Sequence, residues 1–131
     1  MENPLPRSRP VAVTVASDKE PVVCDGVLTQ ANDGFVLEFS VGNDKFDLVH
    51  GGGFTRVSAT GDMSYDIELK EHETSTVLST PFGMVRFAVK PIVRDVETTE
   101  NGIRVKLKYI LASTAAGEIE RTVDIAVRFF N

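Results

Sequence analysis

Few residues in this chain have the types and spacing that catalysis requires. The run His50-Gly51-Gly52-Gly53 matches the oxyanion loop of lipases and esterases. In those enzymes the loop works with a Gly-x-Ser-x-Gly nucleophile elbow between a strand and a helix. The sequence contains no such elbow, so the run is interpreted as a connection between two strands.

The remaining reactive side chains are isolated from one another. Cys24 is the single cysteine, which excludes an internal disulfide. Its neighbour Asp25 disfavours a thiolate, so Cys24 is predicted to be a small core residue and not a nucleophile. His72 lies between two glutamates in an apparent turn. We therefore expect no metal, no cofactor and no enzymatic activity.

A subtler signal comes from four polar residues that stand where an apolar residue is expected. Arg56, Tyr65, Tyr109 and Arg121 each share a strand face with apolar neighbours. In a small barrel such residues can line a cavity and meet the polar head of a ligand. The arginines suit a carboxylate or phosphate group. The alternative is that the arginines reach water at strand ends and the tyrosines simply pack.

The elements that would position these residues are strands. Apolar and polar residues alternate through 103–111 and 119–127, which places the apolar side chains on one face of each strand. The chain has 18 Val, 6 Ile and 11 Thr against 8 Leu and 9 Ala, a composition that favours strands over helices. No window shows a helical period of useful length.

Turn residues divide the chain into short, regularly spaced segments, which predicts an all-β fold. We expect a flexible N-terminal arm at 1–10 and one domain at 11–131, an antiparallel up-and-down barrel of about 8–10 strands. Closing the sheet on itself would remove exposed edges. Pro81 and Pro91 each remove a ladder donor, so each is predicted at a bulge, bend or edge.

The two C-terminal runs are predicted to form an antiparallel hairpin. The predicted register places Lys108 opposite Glu120 and Arg104 opposite Asp124, because cross-strand pairs of opposite charge stabilise a register. It leaves about five loop residues.

The net charge of −5 argues against a nucleic-acid partner or an anionic membrane surface. The N-terminus lacks the apolar stretch of a signal peptide. We therefore expect a cytoplasmic protein.

The segment Ser79-Thr80-Pro81-Phe82-Gly83, followed by three long strands, is similar to the YwiB-like family of small bacterial proteins, which is grouped with the calycins. The resemblance implies a calycin-like, lipocalin-like barrel and brings no catalytic residues. The expected function is binding of a small apolar or amphipathic molecule inside the barrel. The alternative is a non-catalytic structural or protein-interaction module, a homodimer with a solidly packed barrel.

Overall fold

The structure is a computed structural model and describes residues 7–16, 20–31, 33–114 and 117–130. These residues form ten strands and no helix. The strands are β1 (Arg7–Ala16), β2 (Val22–Ala31), β3 (Gly34–Val41), β4 (Asp44–Gly51), β5 (Phe54–Thr60), β6 (Tyr65–Leu69), β7 (Thr74–Thr80), β8 (Gly83–Thr98), β9 (Gly102–Ser113) and β10 (Gly117–Phe129).

All ten strands belong to one antiparallel sheet with the order β6-β5-β4-β3-β2-β1-β10-β9-β8-β7. Chain neighbours pair with each other except β6 and β7, and β1 pairs with β10 to join the two halves of the meander. The two edge strands, β6 and β7, meet at the bridge between Ser64 and Ser79. The sheet is therefore a nearly closed barrel, which confirms the predicted all-β, antiparallel up-and-down architecture.

The barrel interior is filled by the apolar residues of each alternation. The side chains of Leu28, Leu37, Leu48, Leu69 and Leu107 come from five different strands, and each is 0% exposed. Charged residues such as Arg104 and Lys106 project from the outer face between them. This alternation thus produces a packed core and a solvated wall.

The hairpin of β9 and β10 is antiparallel as predicted, but the predicted register is wrong by two residues. Ser113 pairs with Gly117, so the loop has three residues instead of five. Gly117 has φ of 76°, a conformation that suits glycine in three-residue hairpin loops. The turn therefore decides the register. Lys108 lies opposite Thr122 and reaches Glu120 diagonally, with Nζ 2.8 Å from Oε1.

Both prolines interrupt the pairing, as predicted. Pro81 lies in the turn between β7 and β8. Pro91 begins a register shift between β8 and β9 that ends at Val93. The shift is a bulge, which reverses the inward and outward sides of β8 beyond that point.

The N-terminal strand starts before the predicted domain boundary. Residues 7–10 belong to β1 and pair with residues 27–30 of β2. The rest of the predicted arm, 1–6, lies outside the described residues.

The seam between β6 and β7 is held mainly by side chains. Beyond the two backbone hydrogen bonds of the Ser64–Ser79 bridge, each 2.9 Å, two threonines of β7 bond to the backbone of β6. Thr74 Oγ1 donates to the carbonyl of Glu68 at 2.7 Å, and Thr76 Oγ1 donates to the carbonyl of Asp66. These hydroxyl groups satisfy carbonyls that an unbroken ladder would have paired with amides.

Candidate functional site

A groove of about 680 Å³ follows the seam between β6 and β7. Inward-facing Ala59, Tyr65 and Thr76 form its floor, whereas Asp66 and Arg86 belong to the outer wall. The groove exists because two edge strands separate where they would otherwise share a full ladder. It therefore reaches interior residues from the side of the barrel.

Three of the four candidate residues, Tyr65, Tyr109 and Arg121, lie toward one end of the barrel, the end at which β6 begins and the β9–β10 turn lies. Arg121 of β10 lies directly opposite Tyr109 of β9, and Tyr109 is buried at 4% exposure. Burial raises the pKa of Tyr65, and the charge of Arg121 acts on the same hydroxyl in the lowering direction. Asp44 of β4 acts on it in the raising direction. Two tyrosines, a cation and a carboxylate thus share one mouth of the barrel.

The predicted inward position of Arg56 is wrong. Its neighbours Thr55 and Val57 are buried, whereas Arg56 is exposed on the outer wall opposite Glu68 of β6. The strand 54–60 has apolar residues on both faces: Phe54 lies on the face of Arg56, whereas Val57 lies on the face of Thr55. Packing in the barrel turns the face of Thr55 and Val57 inward. Arg86, which the sequence analysis did not single out, is the arginine that lines the groove with Tyr65.

The opposite end of the barrel contains a second inward-facing arginine that sequence reasoning missed. Arg94 lies opposite Leu107, a core residue of β9. Simple alternation from Phe87 and Val89 would place Arg94 outside. The bulge between Pro91 and Val93 reverses the phase and turns Arg94 inward. The predicted bulge at Pro91 was the available signal.

Near Arg94 the interior is polar on one side. His50 Nδ1 lies 2.9 Å from the hydroxyl of Thr55, and Thr55 is 0% exposed. The His50 ring lies 5.5 Å from the ring of Phe35, centroid to centroid. Burial lowers the pKa of His50, and the positive charge of Arg94 lowers it further. A neutral imidazole is therefore favoured at neutral pH.

The other reactive residues occupy structural positions. His50-Gly51-Gly52-Gly53 forms the end of β4 and its hairpin turn into β5, where Gly51 pairs with Phe54. Gly53 takes φ of 98° in that turn. Cys24 packs against the core, and burial together with Asp25 raises its thiol pKa. In the described ranges no three His, Cys, Asp or Glu residues are placed to hold a metal ion.

A second surface groove, of about 590 Å³, crosses β1, β2 and β3 around Gly26. Its wall includes Val27 and Phe130, both of which are exposed apolar residues. A methyl group on Gly26 would meet Val13 Cγ2 at 2.7 Å. Close packing of the strands, and not a ligand contact, accounts for the glycine at that position.

Comparison with known proteins places the fold. A crystal structure of the ywiB protein from Bacillus subtilis superposes with a TM-score of 0.75 at 14% sequence identity, covering 95% of this chain and 94% of that one. No family model matches the sequence, and no curated protein matches it. Among the described residues, no helix has the length and apolar character needed to cross a membrane. The chain thus has a β-barrel fold similar to that of the ywiB protein.

Proposed function

We propose that this protein is a non-catalytic binding protein for a small, partly apolar molecule that carries an acidic group. The ligand occupies the groove between β6 and β7 and directs its acidic group toward the barrel mouth. The observation that carries the proposal is the convergence of Tyr65, Tyr109 and Arg121 at one end of the barrel, where the groove reaches Tyr65.

The chemistry of the groove supports such a ligand. Arg121 is exposed at the mouth and Arg86 lines the outer wall, so an acidic group can meet a guanidinium at either position. Ala59 and Val77 supply apolar surface, and several serine and threonine hydroxyls lie beside them. A mixed lining of this kind suits an amphipathic molecule.

The packed centre of the barrel limits where the ligand can lie. Residues of 0% exposure fill the interior from eight strands, and a ligand there would have to displace core side chains. The proposal therefore differs from a lipocalin-like ligand enclosed at the barrel centre. The groove admits a ligand from the side without opening the core.

The test uses anilinonaphthalene sulfonate, which combines an apolar body with an acidic group, as a fluorescent probe. Arg121→Met is expected to weaken its binding by about 10-fold or more, because a charge-assisted hydrogen bond contributes about 1.5–3 kcal/mol. Arg56→Met is the matched control, since Arg56 is exposed on the outer wall away from the groove lining. Equal affinity of both variants and the parent protein would refute the site.

The packed core also supports the second candidate, a structural or protein-interaction module that acts as a homodimer. Phe82 and Met84 at the β7–β8 turn are 100% and 75% exposed, which is unusual for large apolar side chains. Native mass spectrometry of the purified protein distinguishes the candidates. A retained small molecule on a monomer favours binding, whereas a ligand-free dimer favours the module.

We also propose that the chain belongs to the YwiB-like family and to the calycins, as a bacterial cytoplasmic protein. The support is the fold similarity over 95% of the chain together with the Thr80-Pro81-Phe82-Gly83 turn between β7 and β8. A crystal structure of a sequence intermediate between the two proteins, with the same seam between β6 and β7, would test the relationship.

A further inference from the structure

The end of the barrel opposite the groove contains a buried cationic nitrogen without a hydrogen-bond partner. Nη1 of Arg94 is inaccessible to solvent and has no acceptor in the described part of the chain. A buried donor of a charged group is costly when it is unpaired. Native proteins satisfy nearly all such groups with protein, water or ion partners.

The position of Arg94 is imposed by the fold and is not a surface accident. The bulge after Pro91 turns it inward, and its backbone is fixed opposite Leu107 in the β8–β9 ladder. Without the bulge, Arg94 would lie on the outward side of β8 together with Lys90. With the bulge, Asp95 takes the outward side and Arg94 faces inward. The chain therefore keeps a guanidinium inside the barrel.

His50 of β4 lies on the inner face at the same end of the barrel as Arg94, paired in register with Phe35 and Thr55. His50 uses Nδ1 for its contact with Thr55 Oγ1, which leaves Nε2 for another partner. No carboxylate forms an ion pair with Arg94 among the described residues. A guanidinium and an imidazole nitrogen thus lie at the same end of the barrel, and no carboxylate of the described residues is in direct contact with the guanidinium.

We propose that Arg94 and His50 bind a small oxyanion, the carboxylate or phosphate group of a ligand, at the end of the barrel opposite the groove. Arg94 supplies the charge and the forked donors that such a group prefers. His50 supplies a hydrogen bond from Nε2, with Nδ1 accepting from the Thr55 hydroxyl. Arg94 lies toward the end of the barrel and is only partly buried as a whole residue.

The two histidines of the chain provide a direct readout. Imidazole signals of His50 and His72 are followed by NMR during titration with inorganic phosphate, at constant pH and ionic strength with chloride as the background anion. His72 is exposed in the β6–β7 turn and serves as the internal reference. We expect the imidazole signal of His50 to shift and to reach saturation as phosphate is added. We expect no saturable shift of the His72 signal. A parallel titration with acetate separates phosphate from carboxylate recognition.

Arg94→Met should abolish the saturable His50 shift or weaken the apparent affinity by about 10-fold or more. Arg94→Lys keeps the positive charge without the forked donors of the guanidinium. Its apparent affinity for the anion is expected to lie between those of the parent protein and Arg94→Met. Arg56→Met, on the outer wall, should behave as the parent protein. Retention of amide signals from β9 and β10 shows that each variant is folded.

The outcomes separate clearly. A His50 shift with phosphate alone, with acetate alone or with both supports the site and identifies its anion. Identical behaviour of the two histidines, no shift with either anion, or a full response in Arg94→Met overturns it. An ordered water would then be the partner of Arg94 Nη1.

Discussion

Thr76 closes the barrel through its side chain, and Thr76→Val is expected to weaken that closure measurably. Its Oγ1 donates to the Asp66 carbonyl across the seam, and the residue is 7% exposed. Valine keeps the shape and removes the donor. A hydrogen bond contributes about 1 kcal/mol, and a buried acceptor left unpaired costs about 1–3 kcal/mol. Because this bond is only partly buried, we expect a loss of about 1–2 kcal/mol in the free energy of unfolding.

Thr74→Val tests the neighbouring bond to Glu68. Thr74 is half-buried, so water can replace part of the lost interaction and the expected cost is smaller, about 1 kcal/mol or less. The double variant should lose more than either single variant, although the two bonds share one seam and need not be additive.

Urea unfolding measures the effect. With a slope of about 2 kcal/mol per molar, Thr76→Val should lower the midpoint by about 0.5–1 M. Amide hydrogen exchange in β6 should accelerate about 5–30-fold, because β6 would open without unfolding the rest of the sheet. Thr122→Val is the control, since Thr122 is half-buried on the outer face of β10, where it pairs with Lys108 of β9 far from the seam.

Two results would refute this reasoning. One is a Thr76→Val midpoint equal to that of Thr122→Val. The other is an equal acceleration of exchange in all strands, which would mean that the seam is not a separate weak point. Either result would mean that the Thr76 hydroxyl does not determine the stability of the seam.

Three further predictions follow from the core and the titratable groups. Leu107→Ala should lower the free energy of unfolding by about 2–5 kcal/mol in urea, because Leu107 is 0% exposed. Ile119→Ala, at a position that is 41% exposed, should lower it by less than about 1.5 kcal/mol. Similar losses in the two variants would contradict the burial of Leu107 in the core. The lowered pKa of His50 contributes stability above its ordinary value of 6.5, which is lost as the pH falls through the lowered pKa; His50→Gln should flatten the stability profile between about pH 8 and pH 5. The raised pKa of Tyr65 should appear in ultraviolet titration, and Arg121→Met should raise it further, since the arginine charge acts to lower it; an unchanged titration would place Arg121 away from Tyr65.

The candidate site was only partly within reach of sequence reasoning. The phase of Tyr109 and Arg121 could be predicted, because both lie in long uninterrupted alternations. Arg56 could not, since its strand has seven residues and plausible apolar residues on both faces. To predict that Arg94 faces inward, the position of the bulge would have to be known to within one residue. Pro91 predicts that a bulge exists and does not say which residue is left unpaired.

The glycine and threonine positions show a second limit. Gly117 fixes the β9–β10 register through its positive φ, whereas charge pairing suggested a register two residues away. The turn joins the two strands covalently, so its conformation sets which residues pair. An exposed ion pair contributes only about 0–1 kcal/mol. Lys108 accordingly meets Glu120 diagonally instead of setting the register.

The all-β class, the approximate bounds of the strands and the meander order follow from local patterns, because period-two alternation and turn residues act over a few neighbouring positions. The folded barrel sets which edges meet, where the closure fails and which polar residues lie at the same end of the barrel. Those features depend on residues far apart in the chain, such as Ser64, which is bonded to Ser79, and Tyr65, whose pKa is affected by the charge of Arg121. They are selected by the packing of all ten strands together, so no local pattern specifies the seam or the two polar ends.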